Sequence, residues 1–178
     1  MNDKALLRRL ILRKALKKGR FKLSSGGTSP YYFDGKQITL DSVGAAALAR
    51  VILHWARQDR AQAIGGLTLG ADPIIGSVLS LAPRRGMKIR GFIVRKEPKK
   101  HGTQRSIEGT LRPGSRVIIV DDVVTKGTST FRAIEEVEKR GCRVTRAVAL
   151  VDREEGGGEA LVKKGYRFTP VFRLRDLI

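Results

Sequence analysis

The chain has 178 residues, with 36 lysines and arginines against 17 aspartates and glutamates, a formal charge of +19. Hydrophobic content of 41% and charged content of 30% suit a soluble globular protein, long enough for one domain with a sizeable core. The single cysteine, Cys142, excludes an internal disulfide framework and fits a reducing compartment.

The charge implies anionic substrates or polyanionic partners. Aromatic residues make up 6% of the chain and do not interleave with the basic ones. A stacking platform for single-stranded nucleic acid is therefore not expected, and a nucleic-acid role is the weaker reading. Met1-Asn2-Asp3 has no apolar signal core, and basic residues break Leu6–Leu16. Neither a secretory nor a membrane-spanning segment is expected, and a cytoplasmic location is.

Asp3 to Lys18 reads as an amphipathic helix, with Leu6, Leu7, Leu10, Ile11 and Leu16 on its apolar face and Gly19 as its stop. Such a first helix serves as a lid or packing element. Phe21 to Gly35 is a loop-and-strand region in which Pro30 fixes an extended entry to Tyr31-Tyr32-Phe33. These aromatics either fill a core or form a platform for a flat heterocycle. Asp41 suits the N-cap of a helix to about Asp59, burying Ala45–Ala49, Val51, Ile52 and Trp55. His54 has no His or Cys at metal spacing and reads as structural.

Ala61 to Gly66 reads as a short strand, followed by the tight turn Leu67 to Pro73 and a helix from about Pro73 to Ala82. Backbone N–H groups around Gly70 to Asp72 could hold a pyrophosphate; a plain strand-to-helix turn is the alternative. Lys88 to Val94 is the next strand. Arg95 to Gly109 is polar, basic and broken by Pro98, so it reads as a surface loop.

Arg116 to Arg132 is the centre of the chain. Val117, Ile118, Ile119 and Val120 form an unbroken β-branched run, which suits a strand buried on both faces. Asp121 and Asp122 come where that strand should end, and Thr125-Lys126-Gly127-Thr128-Ser129-Thr130 opens a helix to about Arg140, where Gly141 fits the stop. The loop suits a phosphate, through open N–H groups and the helix dipole, and the carboxylates suit hydroxyls. Ribose 5-phosphate satisfies both. Neither Gly-x-x-x-x-Gly-Lys-Ser/Thr nor Gly-x-Gly-x-x-Gly occurs, so a P-loop or a dinucleotide fold gains no support. Val144 to Val151 is a further strand, ending in Asp152-Arg153-Glu154-Glu155 and three glycines. Glu159 to Lys164 closes as a helix and Tyr166 to Phe172 as a last strand. Strands alternating with helices predict an α/β fold with a parallel sheet and a ligand at the C-terminal strand ends.

Val117–Thr130 resembles the phosphoribosyl-pyrophosphate (PRPP) motif of type I phosphoribosyltransferases, an apolar strand, Asp-Asp, then Thr-x-Gly-Thr. Three further stretches resemble orotate phosphoribosyltransferases: Ser29-Pro30-Tyr31-Tyr32-Phe33 in the hood, Arg95-Lys96, Lys99 and His101-Gly102 in the catalytic loop, and Asp152-Arg153-Glu154-Glu155. The resemblance runs from about Phe21 to Gly156. It implies a single phosphoribosyltransferase domain over 1–178, with a hood from about 1–40 and a mainly parallel central sheet. It also implies a pentosyltransferase that converts orotate and PRPP to orotidine 5′-monophosphate and pyrophosphate with Mg²⁺, in pyrimidine biosynthesis.

By the same resemblance Asp121, Asp122, Lys99 and His101 are catalytic. Arg95, Lys96, Lys99, His101, Asp121, Asp122, Val123, Val124, Thr125, Lys126, Gly127, Thr128 and Ser129 bind PRPP. Tyr32, Phe33, Thr125 and Arg153 bind orotate. The metal is held mainly through PRPP, with no direct protein ligand. A homodimer is implied, with the 95–109 loop acting in the neighbouring subunit's site. Three positions depart from the common pattern: Ser24 and Gly70 stand where many members have lysine, and Lys126 where a small residue is common. The rival readings are a purine or other base phosphoribosyltransferase, which has no need of Arg153, and a non-catalytic nucleic-acid-binding regulator with the same fold.

Overall fold

In the computed structural model, which describes residues 2–22, 28–97 and 106–178, the apolar run Val117–Val120 lies within a six-stranded sheet. The sheet contains β3 (Ala63–Leu67), β4 (Arg90–Val94), β5 (Ile107–Gly109), β6 (Arg116–Val124), β7 (Arg143–Asp152) and β8 (Phe168–Arg173). Their order is β5-β4-β3-β6-β7-β8, and only β5 runs antiparallel to its neighbour. Successive residues of β6 serve opposite faces. Ile118 and Val120 join the core formed with α1 (Asp3–Leu10), α3 (Ser42–Gln58) and α4 (Asp72–Leu81). Val117 and Ile119 join the core formed with α5 (Thr128–Glu138) and Leu161 of α6 (Gly157–Lys163). Both faces being covered, an unbroken apolar strand is what burial requires; each such side chain contributes about 1.5–3 kcal/mol.

Asp41 caps α3, its carboxylate accepting from the N–H groups of Val43 and Gly44, as its sequence position predicts. Val51 and Trp55 are only partly buried, while Leu53 and Ala56 are fully so. Among the described residues no helix is long and apolar enough to cross a membrane.

Four elements differ from the sequence reading. The first helix gives way after Leu10 to a wider π turn over Ile11–Ala15, and Leu16–Lys22 is β1, not helix. The reason is non-local: Leu16, Lys17 and Lys18 pair with Phe33, Tyr32 and Tyr31 of β2 (Thr28–Phe33). Gly19 therefore lies inside a strand, at a register irregularity, and stops no helix. Part of the expected 95–109 loop is β5, where Ile107 is buried against β4. Strand β6 runs past the aspartates to Val124, because β7 continues to pair with it as far as Asp152. His54 is exposed at the surface of α3, its ring nitrogen beside the Gln58 amide at 3.1 Å.

At the N-terminal edge of the sheet the guanidinium of Arg146 is almost wholly buried. It meets both Asp59 oxygens at 2.7 and 2.8 Å and Thr169 Oγ1 at 3.0 Å, with the Trp55 ring 5.5 Å from its centre. Removing one partner of such a buried pair costs roughly 3–5 kcal/mol, so this edge is firmly tied.

Candidate active site

The β3–β6 ladder stops at Gly65 and Ile119, while each strand continues with its outer neighbour. The chain winds to opposite sides from these two strands, so the gap between their C-terminal ends is the topological switch point of the sheet. The turn after β3 and the end of β6 face each other there. A Cβ built on Gly70 would stand 2.5 Å from Asp121 Oδ1 and 2.6 Å from Asp122 Oδ1. Glycine lets the turn touch both carboxylates, and a longer residue at 70 would have to displace them. The Thr68–Leu69 peptide bond in this turn is cis.

Asp121 and Asp122 are both buried. Burial, then the neighbouring Asp122 charge, pushes the Asp121 carboxyl up to about 8, although the Asp122 N–H donates to it at 2.9 Å. Asp122 has a different partner. Lys36 Nζ, in the short helix α2 (Lys36–Thr39) that follows the hood, lies 3.0 Å from Asp122 Oδ2. Burial works against the lysine charge, but the hydrogen bond to Asp122 and the fields of Asp122, Asp34 and Asp121 outweigh it and hold the ammonium above its ordinary value. The sequence reading missed Lys36, since its partner is 86 residues away. Its only local signal is its place directly after the aromatic strand and Asp34-Gly35. Gly35 is also a close approach, since a Cβ there would stand 2.8 Å from Asp122 Cβ.

The turn Thr125 to Gly127 leads into α5, whose N-cap Gly127 has φ +78°. No side chain caps this end, so the first-turn N–H groups are open to an anion. Lys126 and Thr128 are exposed, Thr125 and Ser129 half-buried. Val124 is buried, and its carbonyl accepts from the Arg153 N–H at 2.9 Å. Val123 packs partly against the core.

A second missed residue supports this turn. Gly157 donates its N–H to the Thr125 carbonyl at 2.9 Å, and a Cβ on it would stand 2.4 Å from that oxygen and 2.5 Å from the Gly127 nitrogen. The glycine run after β7 therefore lets the N-terminus of α6 close onto the phosphate turn. Its sequence signal is only that of a flexible turn.

Arg153 follows β7 with little side-chain exposure. Its guanidinium lies 2.9 Å from Glu155 Oε1 and 3.5 Å from Ser29 Oγ of the hood. The ion pair is thus with Glu155, two residues on. The hood strand brings Tyr32 to the surface, its ring 5.5 Å from that of Phe21, and turns Phe33 into the core. Phe33 can therefore offer a ligand its backbone, not its ring. A cavity of about 420 Å³ beside the Gly70 turn is lined by Thr68, Asp72, Arg95, Lys96 and Glu108 among others, with Arg95 tied to Glu108 at 3.1 Å. This joins the foot of the basic loop to the Gly70 turn. Lys99, His101 and Ser24 lie outside the described residues.

A strand-end carboxylate pair, an open helix terminus and a glycine turn meeting at the switch point define a phosphoribosyltransferase. The family model of the phosphoribosyl transferase domain matches residues 66–167. The orotate phosphoribosyltransferase of Aquifex aeolicus is 42% identical, over 100% of this chain and 99% of its own length. A crystal structure of Mycobacterium tuberculosis orotate phosphoribosyltransferase in complex with Fe(III) dicitrate superposes with a TM-score of 0.86 at 38% identity, covering 98% of each chain. Another of that enzyme, in complex with PRPP, gives 0.79 at 31%, covering 99% of this chain and 92% of the other. The chain belongs to the orotate phosphoribosyltransferase family.

Proposed function

We propose that the protein transfers the 5-phosphoribosyl group of PRPP to orotate, in the pyrimidine route to UMP. The bond from ribose C1 to the pyrophosphate oxygen breaks, the bond from C1 to the orotate ring nitrogen forms, and pyrophosphate leaves with the electron pair. The observation that carries this reading is the meeting of Asp121 and Asp122 with the Gly70 turn on one side and the α5 turn on the other. Hydroxyls, pyrophosphate and 5′-phosphate each find their chemistry within one crevice. Asp121 and Asp122 hold the ribose hydroxyls, and the Asp122 carboxylate favours positive charge developing at C1. Backbone and hydroxyl groups from Thr125 to Ser129 take the 5′-phosphate. Arg95, Lys96, Lys99 and His101 offset the charge of the leaving pyrophosphate, and a loop closing over it excludes water.

Arg153 selects the base. A guanidinium beside the hood, already holding a carboxylate (Glu155), is built to receive the orotate carboxylate. A purine base has no such group, so this residue favours orotate over the purine reading. Tyr32 and the Phe33 backbone flank the ring, and Thr125 lies between phosphate and base.

Mg²⁺ suits hard oxygen donors. Here Lys36 already neutralises Asp122 and burial favours a proton on Asp121. With both carboxylates so engaged, a Mg²⁺ here would be held mainly through PRPP. Bound in this way, the ion offsets leaving-group charge. The working unit is one domain over 1–178 with a hood from about 1–40. It is a cytoplasmic homodimer in which the 95–109 loop of one subunit serves the other's site.

The test is loss of orotate ultraviolet absorbance on addition of PRPP and Mg²⁺. Turnover with orotate and none with purine bases is the expected result. Turnover only with a purine overturns the specificity, and no turnover with any base overturns the enzyme. In the same assay Lys99→Ala should slow turnover strongly in a folded protein, and an unchanged rate removes Lys99 from the chemistry.

A further inference from the structure

The crevice accounts for little of the +19 charge, and the opposite edge of the sheet gathers a large share of it. Strands β4, β6 and β7 begin with Arg90, Arg116 and Arg143. In the ladder Gln62 N donates to the Arg116 carbonyl, Arg90 N to the Gln62 carbonyl, and Arg116 registers with Arg143. Gln62, Arg116 and Arg143 thus share one row across three neighbouring strands, about 10 Å long at about 4.8 Å per strand, while Arg90 registers with Ala63, one residue further on, and turns to the opposite face. Five residues of extended chain, about 16 Å, separate Arg116 from Asp121, so this row is not part of the substrate site.

Arg116 reaches the Arg60 carbonyl just past the end of α3, and a hollow of about 360 Å³ between α3 and the turn Pro83–Arg85 is lined by Arg50, Arg57, Arg84, Arg85 and His54. Among the described residues only Arg50 has an acidic partner there, Asp3. Arg57, Arg60, Arg84, Arg85, Arg116 and Arg143 are all exposed, and among the described residues none of them makes an ion pair. Asp59, the acid between α3 and β3, is consumed by Arg146 and Arg167. The arginines are instead held to one another. The Arg57 guanidinium donates to the Arg85 carbonyl, and that of Arg116 donates to the Arg60 carbonyl at 2.9 Å. Carbonyls fix the directions of these cations without neutralising them. A concave surface of one sign focuses its field outward, toward a polyanion.

We propose that this N-terminal edge binds the phosphate backbone of duplex nucleic acid, independently of sequence. A single phosphate would need the hollow alone, whereas the row extends the cations along a line that matches a charged polymer. No Phe, Tyr or Trp lines the hollow, His54 being its one ring among the described residues, so it offers no stacking platform, and contacts go to the backbone. None of the exposed large apolar side chains belongs to the hollow or the row, which argues for a polymer of phosphates and against a membrane surface.

The test is fluorescence anisotropy of a labelled 20-base-pair mixed-sequence DNA duplex with the whole protein across a salt series. Binding should weaken with salt at a log–log slope of roughly −3 to −5, the value for four or five neutralised phosphates. Arg84→Ser/Arg85→Ser should lower affinity at least tenfold and make the slope shallower by about 2, with orotate turnover unchanged. Arg132→Ser/Lys163→Ser, which removes equal charge elsewhere, should change affinity less than threefold. If the first double variant fails to fold, Arg116→Ser alone should make the slope shallower by about 1. Four results overturn the proposal: no binding at low salt, equal losses in the two double variants, displacement of the duplex by PRPP with Mg²⁺, or tighter binding to anionic phosphatidylglycerol vesicles than to the duplex.

Discussion

The two sides of the crevice are built to different standards. The ribose-phosphate side stands on β6, buried on both faces, and backbone approaches at Gly70 and Gly157 leave no room for a side chain. The base side stands on β1 and β2, a two-stranded ribbon with an irregular register, and on the partly exposed Tyr32. An isolated two-stranded ribbon is marginal by itself; this one is anchored where Phe33 enters the core. On the proposed function, the phosphoribosyl group meets the buried frame and the base meets the more exposed ribbon. Substitutions in the frame should damage PRPP use and reach both substrates, while substitutions on the hood side should reach orotate alone.

The largest effect is expected from Gly157→Ala. Its new Cβ would meet the Thr125 carbonyl and the Gly127 nitrogen well inside contact distance, and neither is a flexible side-chain end. The phosphate turn must move, and a misplacement of about 1 Å can cost roughly 100-fold in rate. We expect kcat/KM for PRPP to fall by about that factor, measured by steady-state kinetics at saturating orotate. An unchanged value would show that the frame yields as readily as the hood.

Next comes Arg153→Ala. Losing a charge-assisted hydrogen bond costs about 1.5–3 kcal/mol, so KM for orotate should rise roughly 10- to 150-fold. KM for PRPP should stay within twofold. If both constants rise together, Arg153 belongs to the frame, and the division between the two sides fails.

The same contrast explains what the sequence revealed. Val117 to Thr130 was legible because strand, carboxylates, turn and helix start are contiguous, and each is a local preference of its own residues. The resemblance added the base through Arg153, which lies beside the hood. What stayed hidden is non-local. Leu16 to Lys18 continues a helical apolar pattern and becomes strand only because Phe33 and Tyr31 supply a partner. Ile107 is a single apolar residue in a polar stretch, and β4 alone makes it strand. Lys36 gains meaning from Asp122, and Gly157 from Thr125, across distances no local pattern spans. Gly70 read as a lost cation; in the fold it is the place where the pyrophosphate turn touches the carboxylates, and Lys36 supplies a cation from the other side.

The smallest effect concerns how the frame holds its own charge. Asp121 titrates near 8 in the ligand-free protein, against an ordinary 3.8 when unfolded. A carboxyl raised by folding is bound to its proton more tightly in the folded state. Its favourable contribution is complete below the unfolded value and is lost as pH rises from about 4 toward 8. Asp121→Asn keeps the shape and cannot ionise, so it escapes that loss. The melting temperature of the variant minus that of the parent, both without ligand, should increase steadily from pH 5 to pH 8 and level off above. Lys36→Met should steepen the parent's loss, since it removes the cation that now steadies Asp122 and, through it, the pair. A difference that stays flat across this range would mean that Asp121 is ionised throughout. The frame would then carry two negative charges before PRPP arrives.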